Sequence, residues 1–295
     1  MVKTEIQLVA EAFRERARRL QSASKVLRNI GTGLSIAALF AAKIPLGELL
    51  PEHLLEWLLI IVSLLCQVVA EHLFNIGRKA HFNSRDGSRW FLLCSSITDD
   101  QTKANIPLDD LKQKAIDLKL APTTVPQSGD YFFSKADKGW NRLLENLYES
   151  LYFTKAIMEK QHSSKTQSLF ITISAIVISL ITLLVIHTPD DPINPYLTSL
   201  ALISLAVPVL VETIHRSRTR FAIDELGRIQ ERMKPFVTKK HADLSADLSI
   251  LIDMTTKYYC VTTEHELLSN RIYHKYNEKL SANYAVHIDQ LLRKP

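Results

Sequence analysis

The sequence predicts an all-α integral membrane protein: two transmembrane helical hairpins, a cytoplasmic and mostly helical insert between them, and a cytoplasmic helical C-terminal region. Three observations predict it. The 46% of apolar residues are not spread evenly but gathered into four runs separated by charged stretches. With 8 Gly and 11 Pro in 295 residues, and Leu, Ala, Glu and Lys abundant, the composition favours helix over strand. Lys and Arg fall on one side of every apolar run and are missing from the two short connections on the other side.

Residues 1–29, opening "MVKTEIQLVAEAFRERARRLQ", read as a cytoplasmic amphipathic helix without the features of a cleavable signal peptide. The first hairpin occupies residues 30–74. Its first run, Ile30–Leu46, is the weakest, because Lys43 interrupts it. A charge in the last turn of a span can snorkel to the interface. Its second run is Leu55–Phe74, "LEWLLIIVSLLCQVVAEHLF".

Residues 75–167 form the insert. "SRWFLLCSS" at 88–96 fits either a short strand or a buried turn of helix, and "DDLKQKAIDLKLA" fits a short amphipathic helix with Leu111, Ala115, Ile116 and Leu118–Leu120 near one face. The aromatic-rich "YFFSKADKGWNRLLENLYESLYFTKAIMEKQ" settles into helical spacing, with Trp140, Leu143, Leu144, Leu147, Leu151, Phe153 and Ile157 on a broad apolar face, and that helix runs directly toward the third span.

The second hairpin occupies residues 168–214. Ser168–Ile186 carries no charge, and at about 1.5 Å per residue it covers about 28 Å, the thickness of a bilayer's hydrocarbon. Tyr196–Ile214 returns. Residues 215–295 read as two or three long amphipathic helices.

Orientation follows from the charges. "PLGELLPEH" and "HTPDDPINP" contain no Lys or Arg, whereas Arg14, Arg16, Arg18, Arg19, Lys25 and Arg28 precede the first run. Arg78, Lys79, Arg85 and Arg89 follow the second, Lys160 and Lys165 precede the third, and Arg216, Arg218 and Arg220 follow the fourth. Both termini and the insert are therefore expected in the cytoplasm.

The spans also carry polar residues. In the second run Glu56, Ser63, Gln67 and Glu71 recur at helical spacing. The third run has Ser168, Thr172, Ala175, Ser179 and Thr182. Such side chains avoid lipid, so they face protein or water. Ser63, Gln67, Glu71, Thr172, Ser179 and Thr182 are the candidate pore-lining residues. Gly31, Ser35, Ala38 and Ala42 form a close-packing stripe. Glu212 stands four residues before Arg216, the spacing of an ion pair along one helix. One chain's four spans cannot surround a path and also pack on each other, so a pore requires a homo-oligomer, with a tetramer favoured. Rings of Glu would favour cations.

Enzymatic signatures are missing. There is no phosphate-binding loop, dinucleotide fingerprint or nucleophile elbow, no close His pair for a metal, and no cofactor motif. Cys66, Cys94 and Cys260 are widely separated and read as reduced structural thiols.

The two hairpins, the insert of about a hundred residues and the element "YFFSKADKGWNRLLENLYESLYFTKAIMEK" leading into the third span resemble a known layout. It is that of the bacterial four-transmembrane pore-forming effectors of nucleotide-signalling antiphage defence systems, the SMODS-associated effectors of CBASS-like operons and the Hailong-type channel effector among them. The resemblance implies an inner-membrane channel gated by a nucleotide or short oligonucleotide from a companion nucleotidyltransferase, either a cyclic product that opens it or a linear one that holds it shut. Opening would depolarise the membrane and arrest growth. Under that implication Arg78, Lys79, Arg85, Arg89, Arg216, Arg218 and Arg220 are the candidates for phosphate, and Tyr131, Phe132, Phe133 and Trp140 for base stacking. The competing expectation is a non-conducting membrane scaffold that recruits a soluble partner through its cytoplasmic helices.

Overall fold

The computed structural model describes residues 2–41, 54–97, 108–120, 132, 134, 136, 137, 139–186, 195–238, 248–263 and 270–293. Every element within them is helical: α1 (Val2–Ala41), α2 (Leu54–Ser96), α3 (Leu108–Asp117), α4 (Trp140–Ile186), α5 (Pro195–Thr238), α6 (Leu248–Thr263) and α7 (Asn270–Arg293). Proline placement explains the length of these helices. No proline lies between Pro51 and Pro107 or between Pro126 and Pro189, so nothing interrupts α2 or α4, and Pro195 opens α5 at the position proline tolerates best. Pro208 lies inside α5, where it removes one backbone hydrogen bond.

The stretch "SRWFLLCSS" is the last part of α2, which settles the strand-or-helix alternative in favour of helix. Phe91 and Leu92 are buried there, and Ser96 accepts the backbone N–H of Gly139 at 2.8 Å just ahead of α4. The domain boundaries expected at 29/30, 74/75, 167/168 and 214/215 all fall inside continuous helices. The chain forms two compact units that meet in sequence at 18/19, 77/78, 162/163 and 217/218.

One unit comprises residues 19–77 and 163–217. It is built from parts of α1, α2, α4 and α5, around a small core of Ala38, Leu39, Ile60, Ala201 and Leu205. Most of its large apolar side chains point outward. Val68 on α2 is 67% exposed and Phe170 on α4 is 72% exposed, and Leu65, Ile178, Ile203 and Leu210 are also exposed. Among the described residues one helix segment, Leu54–Leu93, is long and apolar enough to cross a membrane. We refer to this as the apolar unit. The two Lys- and Arg-free connections, with Lys43 and Ala42, lie mostly or wholly outside the described residues.

The other unit comprises residues 1–18, 78–162 and 218–295. The N-terminal helix, the insert and the C-terminal region thus share one core, in which Ile6, Leu92, Leu147, Tyr148, Leu226, Met233, Met254 and Tyr258 are buried together. Of the apolar face expected on α4, Leu143, Leu144, Leu147, Leu151 and Ile157 are buried, whereas Trp140 is exposed. α3 packs on α1 and α2 in a cluster of Phe13, Ala17, Ala80 and Ala115, and Lys112 pairs with Glu5 at 2.5 Å. Its face is narrower than expected: Leu111 and Ala115 are buried, but Ile116 is exposed and Leu118–Leu120 form the turn that ends the helix. There Leu120 N–H donates to Ala115 O at 3.0 Å and Lys119 N–H to Ile116 O at 2.8 Å. Lys119 holds the left-handed position, φ 52°, that glycine usually fills.

Candidate functional site

Two sets of residues carry the expected chemistry, one in each unit. In the apolar unit they form a polar seam between α1 and α2. Gly31 permits the close approach: a Cβ there would lie 3.0 Å from Ser63 O and 3.3 Å from Gln67 Cγ. Across this contact Ser35 Oγ and Ser63 Oγ are 2.6 Å apart. Both hydroxyls reach the Gly31 carbonyl, Ser63 at 2.7 Å and Ser35 at 3.1 Å, so one hydroxyl donates to its neighbour while the neighbour donates to the carbonyl.

Ser63 is fully enclosed. Within one chain its hydroxyl packs α1 against α2, bonded to Ser35 and to Gly31 O, rather than standing open as the pore-lining expectation has it. Gln67 and Glu71 are only partly buried, as is Thr172. Ser179 and Thr182 lie on α4, with side chains outside the described set.

The seam continues to Glu71. Arg28 of α1, which the sequence presents only as one more cytoplasmic cation, places Nη2 3.5 Å from Glu71 Oε2 and Nη1 3.9 Å from Glu212 Oε2. Glu71 Oε1 also accepts from Asn75 Nδ2 at 3.4 Å. Where the spacing suggests Arg216 as the partner of Glu212, the ion pair among the described residues is with Arg28 of α1. A guanidinium presents several donors in a planar fork, so one Arg can serve two carboxylates from two helices. Beside this node the rings of Phe74 and His215 lie 4.8 Å apart, tying α2 to α5. Sequence periodicity held the clue to Arg28, since Arg28, Gly31 and Ser35 share one face of α1 at spacings of three and four.

The second set is cationic. Of the expected phosphate candidates, Arg78, Lys79, Arg85, Arg89, Arg218 and Arg220 belong to the unit that contains the insert, and Arg216 belongs to the apolar unit. Arg78, Lys79, Arg218 and Arg220 are exposed. Arg85 is half-buried and held in place: Nη2 donates to Thr262 Oγ1 at 2.6 Å, and the guanidinium sits 5.4 Å and 5.5 Å from the ring centres of Tyr258 and Tyr259. Arg89 is exposed and lies 5.9 Å from both the Trp90 and Tyr259 rings. The aromatic platform for these arginines thus comes from α6 and Trp90. Of the aromatic residues expected to stack bases, Tyr131 and Phe133 lie outside the described residues, Phe132 is buried against Phe91, and Trp140 is exposed on α4. An open groove of about 820 Å³ also runs between α4 and α5. Its cations Lys155, Arg228 and Arg232 are matched by Glu159, Asp224 and Glu231, which makes it a poor trap for an anion.

Comparison of the chain with protein-family models, with curated proteins and with solved structures yields no match.

Proposed function

We propose that this chain is a multi-pass protein of the bacterial inner membrane, with both termini in the cytoplasm, that assembles as a homo-oligomer, a tetramer by preference, into a gated ion channel. The observation that carries the reading is the apolar unit. It draws on all four apolar runs, its core is small, and its large apolar side chains stand outward on α2, α4 and α5. Exposed apolar area on that scale requires a cover, and lipid supplies one without any further protein.

The gating part of the proposal rests on helix continuity and on the resemblance in layout. α1, α2, α4 and α5 each contribute residues to both units without a break. A ligand that shifts the insert-containing unit would load the same helices that carry Gln67, Glu71 and Thr172. The ligand class is a nucleotide or short oligonucleotide made by a companion nucleotidyltransferase, with Arg78, Lys79, Arg89, Arg218 and Arg220 as its exposed phosphate contacts. Ion selectivity would favour cations, through Glu71.

Purified protein in potassium-loaded vesicles tests the reading. Flux that changes on adding the companion enzyme's product supports it, whereas vesicles that stay tight under every ligand state leave the scaffold reading in its place.

A further inference from the structure

Three observations on the same part of the apolar unit converge. First, Gln21 Nε2 and Ser24 Oγ have no hydrogen-bond partner among the described residues, although Gln21 is 6% exposed and Ser24 is 1% exposed. A buried donor left unmade costs more than a typical hydrogen bond gains, so such groups are normally satisfied by ordered water when protein offers nothing. Second, both belong to the face of α1 that carries Arg28: Ser24 is one turn before it and Gln21 two turns before it. Third, the Arg28 contacts of 3.5 Å and 3.9 Å are longer than the roughly 2.7–2.9 Å of a direct charge-assisted hydrogen bond. Contacts of that length are weak direct ones, and they leave the guanidinium donors room to bond water beside the carboxylates.

We propose that the face of α1 formed by Gln21, Ser24 and Arg28 is an internal hydration site, in which water molecules satisfy Gln21 and Ser24 and hydrate the Arg28 guanidinium beside Glu71 and Glu212. The charge balance selects water over an anion. One guanidinium faces two carboxylates, so the node already carries an excess negative charge. The Glu71 side chain is 46% exposed and gives water a route inward. The seam turns dry at Gly31, where Ser35 and Ser63 satisfy each other and Gly31 O. The wet part and the dry part therefore meet within two turns of one helix.

The sign of a stability change tests this. If water bonds Ser24, Ser24→Ala in the purified full-length chain loses that bond and lowers Tm by about 2–4 °C. If the hydroxyl is buried dry, removing it relieves an unpaid desolvation cost, and an unchanged or raised Tm overturns the proposal. Where Ser24→Ala does not yield folded protein, iodoacetamide labelling followed by peptide mass spectrometry decides between Ser24→Cys and Ser35→Cys. A hydrated site gives a Ser24→Cys thiol that is alkylated at least tenfold faster than the Ser35→Cys thiol in the native state. Equal, slow labelling at both positions refutes it.

Discussion

Arg28 on α1 and Glu212 on α5 meet across the apolar unit, Nη1 to Oε2 at 3.9 Å, and the same guanidinium reaches Glu71 on α2. Two glutamates that each precede a basic helix exit thus share one arginine from a third helix. Removing Arg28 leaves two carboxylates facing each other without a cation, so Arg28→Ala is expected to destabilise by about 1–3 kcal/mol. Glu71→Gln costs less, under about 1 kcal/mol, because that side chain is nearly half exposed and solvent screens it. Denaturant or thermal unfolding of Arg28→Ala, Glu212→Gln and the double variant measures this. A purely additive double variant would show that the two residues do not interact.

Glycines give a second test, with opposite signs inside one helix. A Cβ at Gly31 would crowd Ser63 O and Gln67 Cγ at 3.0 and 3.3 Å, while a Cβ at Gly33 meets nothing within 4 Å. Gly31→Ala is expected to lose about 1–3 kcal/mol through overpacking, and Gly33→Ala to gain about 0.5–1 kcal/mol through helix propensity. In the other unit Gly87 repeats the first case, since its Cβ would sit 2.8 Å from Ala10 Cβ. Gly87→Ala should lower the unfolding midpoint, and a rise at either Gly31 or Gly87 would refute these crossings.

His287 provides a pH signature in the insert-containing unit. It stacks on Tyr148 and Tyr152 and shares a 2.9 Å hydrogen bond with Tyr148 Oη. Burial, with a smaller contribution from Lys234 and an opposing one from Glu231, holds its pKa below the ordinary 6.5. Because the folded state resists the proton that the unfolded state accepts, this group's contribution is complete above about pH 6.5. It is lost as the pH falls from there through the folded value. Unfolding midpoints of wild type and His287→Gln, measured from pH 7.5 to pH 5, should therefore show wild type losing more stability on acidification. Parallel curves would contradict the assignment.

Lys119 supplies a local check on α3. It closes the helix at φ 52°, so Lys119→Gly is expected to stabilise by about 1 kcal/mol. A loss would mean that the lysine side chain, rather than the turn, matters there.

The helices themselves were legible from the sequence, because long stretches free of proline and full of Leu, Ala and Glu leave little alternative. The stripe of Gly31, Ser35 and Ala38 read correctly as packing, since small residues at helical spacing do little else. Three things were not legible. Whether "SRWFLLCSS" was strand or helix depended on the uninterrupted α2 behind it, and a short apolar run carries no period of its own. Spacing along α5 points Glu212 to Arg216, whereas Arg28, far away in sequence on α1, lies within ion-pair reach, and an i,i+4 rule cannot see a third helix. Ser63 looked like part of a continuous polar stripe with Gln67 and Glu71, but one stripe on a helix can face a dry neighbour at one end and solvent at the other.

The most direct test of the channel reading is conductance from the purified chain in planar bilayers, with Glu71→Gln measured beside it. The account predicts cation-selective unitary currents whose open probability changes when the product of the companion nucleotidyltransferase is added on the cytoplasmic side, and a weaker cation preference in Glu71→Gln. A bilayer that stays silent with and without that product, while the protein is shown to be inserted, would contradict it.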